Sequence, residues 1–308
     1  MQYLCIGVND CVDDVIHHLN CELKQIKNKR IKYSLDEDNS GSPTSIICSL
    51  DTDRFLGKKP VHLYNTLRIH VSNALADYII RQYEEKLLTR IINTNYCYFN
   101  KKEKSDILSI ALKSTKGDDK DFFNTLLRIR RRNVIVRSLL EYFERSNNLI
   151  LDGFVNFRLK EYLKDLEEIA EKAVDDFLME REYKEFIRLL RYFVEIQEPK
   201  FDIIHVMGGC GHKYSLYDES LREITNDCIK EFVNEISEGE VNHDDLLVSS
   251  LITMAPKKII IHGTDKFRNK ELLETIKNVF NGKIITCTGC DTCMSYMVNH
   301  NGDSKNLV

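Results

Sequence analysis

Three cysteines, Cys287, Cys290 and Cys293, stand three residues apart at the end of the apolar run Lys283-Ile-Ile-Thr-Cys287. Thiolates are the soft donors that Zn2+ and iron–sulfur clusters take, and this spacing lets three sulfurs converge on one point. Three thiols leave a tetrahedral site one ligand short, so a fourth donor must come from elsewhere in the chain. Two places offer it: Gly208-Gly-Cys-Gly-His212, and His262-Gly263 at the end of another apolar run. The candidate metal ligands are therefore Cys287, Cys290, Cys293, Cys210, His212 and His262, and the candidate cofactors are Zn2+ or an iron–sulfur cluster. Two other readings stay open, a redox-active Cys290-x-x-Cys293 pair and ordinary reduced thiols. The spacing completes neither a ferredoxin motif, nor the cysteine triplet of radical enzymes, nor the two pairs of a zinc ribbon.

Such donors can meet only if the elements that carry them lie side by side. After Pro199 short apolar runs alternate with helical patterns: Phe201–Met207, a helix from about Leu221 to Ile236, another over Asp244–Met254, then Lys258–His262, a helix over Lys270–Phe280 and Lys283–Cys287. Strands alternating with helices favour a parallel or mixed sheet. The carboxyl ends of parallel strands share one edge, where open sheets bind ligands, and here each end delivers Cys or His. His205, inside an apolar strand, reads as a satisfied core histidine. Gly208–Gly211 could cradle an anion but completes neither the dinucleotide fingerprint nor the Walker sequence, so a strand-to-helix loop is the simpler reading. Asp244-Asp245 suits the positive end of a helix dipole.

Upstream, the period changes to 3.6. Leu63, Leu67, Val71, Leu75 and Ile79 recur every fourth residue, and the helical pattern runs from Pro60 to Gln197. Breaks are expected at Lys101–Lys104, at Gly117-Asp-Asp-Lys120, at Asn147-Asn148 and at Gly153, followed by a helix carrying Val155 to Val174 and a second over Arg181–Val194. Before this region stand a strand at Tyr3–Val8, a helix from about Cys11 to Lys29 that Asn9 or Asp10 could cap, and a hairpin of Ile31–Leu35 with Thr44–Leu50 around Asn39-Ser-Gly-Ser-Pro43. Thr52–Pro60 reads as a linker. The fold class is α/β (α+β), in four parts: a small α/β unit over 1–56, a helical region over 57–199, an α/β unit with a short parallel or mixed sheet over 200–298, and a flexible tail over 299–308.

Composition sets limits on function. With both charge signs interspersed and a net charge of -4, no global field draws the chain to nucleic acid or anionic lipid. One segment, Leu126–Arg137, holds five arginines and no acid, which on a helix would turn Ile129, Val134 and Ile135 inward. It could meet phosphates, but pairing with glutamates such as Glu167, Glu168, Glu180 and Glu182 is the simpler expectation, since no aromatic residues that stack on bases are interleaved. Most of the ten cysteines sit singly in apolar or helical patterns, as reduced thiols do. With no signal peptide and no run of eighteen apolar residues, the cytoplasm is the expected location. Ser249-Ser250 lies in no nucleophile elbow.

The block Phe154-Val-Asn-Phe-Arg-Leu-Lys-Glu-Tyr-Leu163, with Ala173–Leu178, Glu182–Ile187, Tyr192–Pro199, Asp244–Leu247, Leu251–Pro256 and the final Cys-x-Gly-Cys-x-x-Cys, resembles the YtxC-like sporulation protein family, most strongly from about 150 to 295. The resemblance implies a protein of endospore-forming Firmicutes, assigned to sporulation, with no settled activity and no catalytic residues to carry over. Phe154, Phe157, Tyr162, Phe177, Phe186, Tyr192 and Phe193 are expected to form an aromatic-rich packing interface, each ring contributing on the order of 1.5 to 3 kcal/mol if buried. The leading expectation is a non-enzymatic cytoplasmic protein with protein partners and a structural metal. The alternatives are a metal- or thiol-dependent enzyme at the Cys210/His212/His262/Cys287 edge, and a nucleic-acid binder through Arg128–Arg137.

Overall fold

In this computed structural model the described residues are 3–27, 33–38, 41, 43–50, 60–116, 122–208, 214–225, 243–264, 267, 269–290 and 293. The chain divides into two compact units, Met1–Met179 and Glu180–Val308.

The N-terminal unit begins with β1 (Tyr3–Val8), whose Leu4, Ile6 and Val8 are buried, and α1 (Val12–Lys27), which buries Val15, Leu19 and Leu23 at helical spacing. β2 (Tyr33–Asp38) and β3 (Thr44–Leu50) form the expected hairpin, closing with Asp38 opposite Ser45, so that the first strand runs on past Leu35; residues 31 and 32 lie outside the described residues. Residues 52–59 of the expected linker lie outside the described residues, and Pro60 opens α2 (Pro60–Asn95), as its fixed φ allows. Leu67, Val71, Leu75 and Ile79 are all fully buried. The stripe is therefore the helix's core face.

The first helical break falls at 96–100, not at Lys101–Lys104. Those lysines begin α3 (Lys101–Lys116), because Asn100 caps it: Lys102 and Glu103 donate their N–H groups to Asn100 Oδ1 at 2.9 and 3.0 Å, and Glu103 Oε2 accepts the Asn100 N–H at 2.9 Å. The Gly117–Lys120 break lies outside the described residues. α4 (Phe122–Arg145) follows and buries Ile135, Leu139 and Phe143. At the Asn147-Asn148 boundary the chain makes a strand instead of a loop, β4 (Asn148–Ile150), then α5 (Leu151–Phe157), with Gly153 inside it. The first of the two helices expected up to Val194 is interrupted after Phe157, leaving Val155 in α5, and its remainder is continuous with the second as α6 (Lys160–Ile196). Nothing from Met179 to Glu182 breaks a helix, and Glu180 pairs with Lys184 at 2.7 Å. The sheet order is β2-β3-β1-β4, with β1 antiparallel to β3 and parallel to β4.

In the C-terminal unit the sheet order is β6-β5-β7-β8. β5 (Ile203–Gly208), β7 (Lys258–His262) and β8 (Ile284–Thr286) are parallel, and β6 (Tyr214–Tyr217), a strand the apolar pattern does not announce, is antiparallel to β5. The helix expected from Leu221 does not start there. Leu221 has φ +58° and Glu223 bridges to Tyr217; residues 226–236 lie outside the described residues. α7 (His243–Met254) begins near Asp244-Asp245, and Asn269 caps α8 (Lys270–Val279) by accepting the Leu272 N–H at 3.1 Å. Ile204, Val206, Ile259 and Ile261 share one buried sheet face with Leu251, Ile276 and Phe280, joined by Ile187 and Val194 of α6. Among the described residues no helix is long and apolar enough to cross a membrane.

Candidate metal centre

Strand alternation puts His205 and His262 on the sheet face opposite Ile204, Val206, Ile259 and Ile261. His262 ends β7 and is buried. One residue beyond β8, the Cys287 N–H donates to Ile261 O at 2.9 Å, continuing the ladder and holding Cys287 level with His262. The chain then turns at Gly289, whose φ of +133° is open to glycine, and its N–H lies 3.4 Å from Cys287 Sγ. That turn returns Cys290 and Cys293 to the strand end. A packing device flanks it: Phe267 lies over Gly208 so closely that a Cβ at this position would fall 2.9 Å from the ring. Tyr214 stacks on Phe267 at 5.3 Å, and its hydroxyl donates to Asp244 Oδ1 at 2.6 Å.

The ligand atoms of His262, Cys287, Cys290 and Cys293 all lie within 4.8 Å of one another. Cys287 Sγ is 3.8 Å and Cys290 Sγ 3.6 Å from Cys293 Sγ; His262 Nδ1 is 3.3 Å from Cys293 Sγ and 3.6 Å from Cys290 Sγ. A tetrahedral ion with Zn–S of about 2.3 Å and Zn–N of about 2.0 Å has edges of roughly 3.8 Å between sulfurs and roughly 3.5 Å between sulfur and nitrogen. The four donors could hold one such ion. Burial, and secondarily His205, depresses the His262 pKa, and burial depresses that of His205 against the opposing charge of Asp218. Burial and the neighbouring thiols hold the Cys293 thiol above its ordinary range. Neutral imidazole and crowded thiols are the state from which a divalent cation displaces protons.

Of the sequence candidates, His262, Cys287, Cys290 and Cys293 come together, whereas Cys210 and His212 lie outside the described residues. Sequence reasoning reads His205 as a satisfied core histidine and leaves it outside the candidate set. It is half-buried, not core, and its Nδ1 is 2.9 Å from His262 Nε2. The signal for it was its phase in the strand, out of step with Ile204 and Val206.

Two other expectations change. In the arginine helix, Val134 and Ile135 are buried but Ile129 is 49% exposed. Arginine pairing with acids occurs, but with different acids: Arg130 with Asp165 at 3.6 Å, Arg131 with Glu84 at 3.8 Å, Arg132 with Asp77 at 2.7 Å and Arg137 with Glu161 at 2.6 Å. Glu168 and Glu180 face Lys164 and Lys184 instead. The aromatic block does not form one interface. Phe154 and Tyr162 are buried and Phe177 packs against the same core, but Phe157, Phe186, Tyr192 and Phe193 are exposed. In its last turns α6 buries Ile187 and Val194 instead, which turns Phe186, Tyr192 and Phe193 outward.

The model of the YtxC-like family matches residues 69–285, which include His205 and His262 and stop two residues short of Cys287. The chain is 26% identical over 212 residues to "Uncharacterized protein YtxC" of Bacillus subtilis (strain 168), an alignment covering 68% of this chain and 73% of that protein. No solved structure matches.

Proposed function

We propose that this chain, which belongs to the YtxC-like family, holds one Zn2+ through His262, Cys287, Cys290 and Cys293 as a structural centre of its C-terminal unit. On this reading it serves sporulation in the cytoplasm by binding protein partners, without catalysing a reaction. The observation behind the metal is the approach of four suitable donors within 4.8 Å. Three thiolates and one imidazole are a closed structural set for zinc, and four protein ligands leave no position for substrate or an activated water. Cys210 and His212 are not needed to complete it. A cluster would distribute its thiolates over several irons, which suits a wider set of donors than this one. The sporulation role and its location rest on the sequence resemblance and on the reduced thiols.

The metal reading is tested by elemental analysis of anaerobically purified protein. One zinc per chain is expected, lost in Cys290→Ser and in Cys293→Ser. Metal-free protein whose fold is indifferent to added zinc and to chelator overturns the centre, and stoichiometric iron with visible colour overturns zinc. Deleting the coding sequence in an endospore-forming host is expected to lower the count of heat-resistant spores; an unchanged count overturns the sporulation role.

A further inference from the structure

We infer that His205 is the positioning residue for the His262 ligand, accepting the Nε2 proton of His262 so that the Nδ1 lone pair is the one presented to the metal. The inference rests on the zinc centre proposed above. A neutral imidazole carries its proton on one of two nitrogens, and only the other can bind a cation. In His262 the nitrogens face different partners: Nδ1 is 3.3 Å from Cys293 Sγ and 3.6 Å from Cys290 Sγ, and Nε2 is 2.9 Å from His205 Nδ1. With the proton on Nε2, His262 donates to His205 and Nδ1 is free for the ion. With the proton on Nδ1, an N–H points at the sulfurs and the fourth ligand is lost.

Two strands, not a loop, hold this contact. Met207 pairs with His262, so His205, two residues earlier, lies diagonally beside it on the same face of adjacent parallel strands. The rings stack with centroids 5.2 Å apart and planes 23° from parallel. The pair is thus fixed in orientation before any ion arrives, and partners of this kind, which orient a metal-binding imidazole, typically change metal affinity by about 10–100-fold. His205 does not enter the donor set itself, because with Nδ1 accepting from His262 its proton sits on Nε2 and no lone pair is left for an ion.

The test uses the full chain. Zinc affinity is measured by competition with a chromophoric chelator, and zinc-loaded protein labelled with 15N-histidine is studied by NMR. The expected results are a metal-bound Nδ1 and a protonated Nε2 on His262, and about 10–100-fold weaker zinc binding in His205→Phe, which keeps a stacking ring but has no acceptor. His205→Asn, which places an oxygen where Nδ1 stood, should recover most of the loss. A ring needed only for packing would show the reverse order. Zinc bound through Nε2 of His262, or His205→Phe binding as tightly as the wild type, overturns the inference while leaving the centre intact. If His205→Phe does not fold, the wild-type NMR result decides alone. A wild type that takes up no zinc overturns both.

Discussion

Beyond the carboxyl ends of β1 and β4 the N-terminal sheet presents amide and oxygen groups, whereas beyond those of β7 and β8 the C-terminal sheet presents imidazole and sulfur. In the first case the groups satisfy one another. Asp152, just past β4, accepts from Asn9 Nδ2 at 2.6 Å and from the Tyr83 hydroxyl at 2.5 Å, and burial together with that bond raises the Tyr83 pKa so that it stays a donor. In the second, thiols face thiols at 3.6–3.8 Å, and S–H is a weak donor. Cysteine alone does not make the difference. Cys48, fully buried in the N-terminal core, has its pKa pushed up to about 12, chiefly by burial, and is an inert apolar side chain. Strand ends gather polar groups in both sheets, and the soft donors that suit zinc stand at the second.

Metal removal should separate the two regions most. A structural zinc contributes on the order of 10 kcal/mol to small domains that depend on it, and for the centre proposed above the apolar core of Ile204, Val206, Ile259 and Ile261 would limit the cost of its loss. Chelating zinc-loaded protein is expected to abolish hydrogen-exchange protection around 284–290 and leave α2, α4 and β1 unchanged. Uniform loosening of both units would erase the contrast. The converse perturbation is Phe143→Ala, which empties a fully buried ring position in the N-terminal core. It should cost about 3–5 kcal/mol in denaturant unfolding, with zinc content unaltered.

Periodicity made most of the fold legible. Lys258–His262 forms the strand its apolar run announces, and the three parallel strands place His262 and Cys287 at a common edge. Misplaced boundaries trace to capping and continuity. Asn100 starts a helix where a charged cluster looked like a break, and the run of helix formers at Met179–Glu182 lets α6 continue where two helices were expected. β4 and β6, of three and four residues, exist through pairing with β1 and β5 and carry too few residues to show a period. The cluster was legible as residue types and spacing. Its fourth donor was open among Cys210, His212 and His262, because the choice depends on strand register, and the His205 contact is likewise a consequence of register.

Cys48→Ser gives a smaller and more selective contrast. Cys48 is fully buried on β3, so a hydroxyl there must be desolvated, at a cost of about 1–3 kcal/mol, with zinc stoichiometry unchanged. Cys293→Ser should show the opposite pattern, losing zinc while the N-terminal unit melts as before. If Cys48→Ser released metal, the division between inert and ligating thiols would fail.

The smallest effect concerns acid. Asp218, after β6, holds a turn: its Oδ1 accepts the backbone N–H groups of Arg222 and Ser220, each at 2.9 Å, and Oδ2 accepts from Arg222 Nε at 2.8 Å. These bonds, the Arg222 backbone N–H foremost, hold its carboxyl below the usual range. A carboxylate whose pKa is depressed by folding stabilises the fold above its unfolded value, about 3.9, and that contribution is lost as pH falls through the lower folded value. The turn, with Leu221 at φ +58°, should therefore hold at pH 5 and open only below the ordinary carboxylate range. Following the amides of Leu221 and Ile224, which donate to Asp218 O and Leu216 O, between pH 5 and pH 2 measures this opening. Asp218→Asn can still accept the two backbone bonds but has no charge to lose, so its profile over that range should be flat. An acid transition that persists in Asp218→Asn would assign the opening to another carboxyl, and one that spreads through the Asp152 contacts at the same pH would join the two regions in a single acid-sensitive unit.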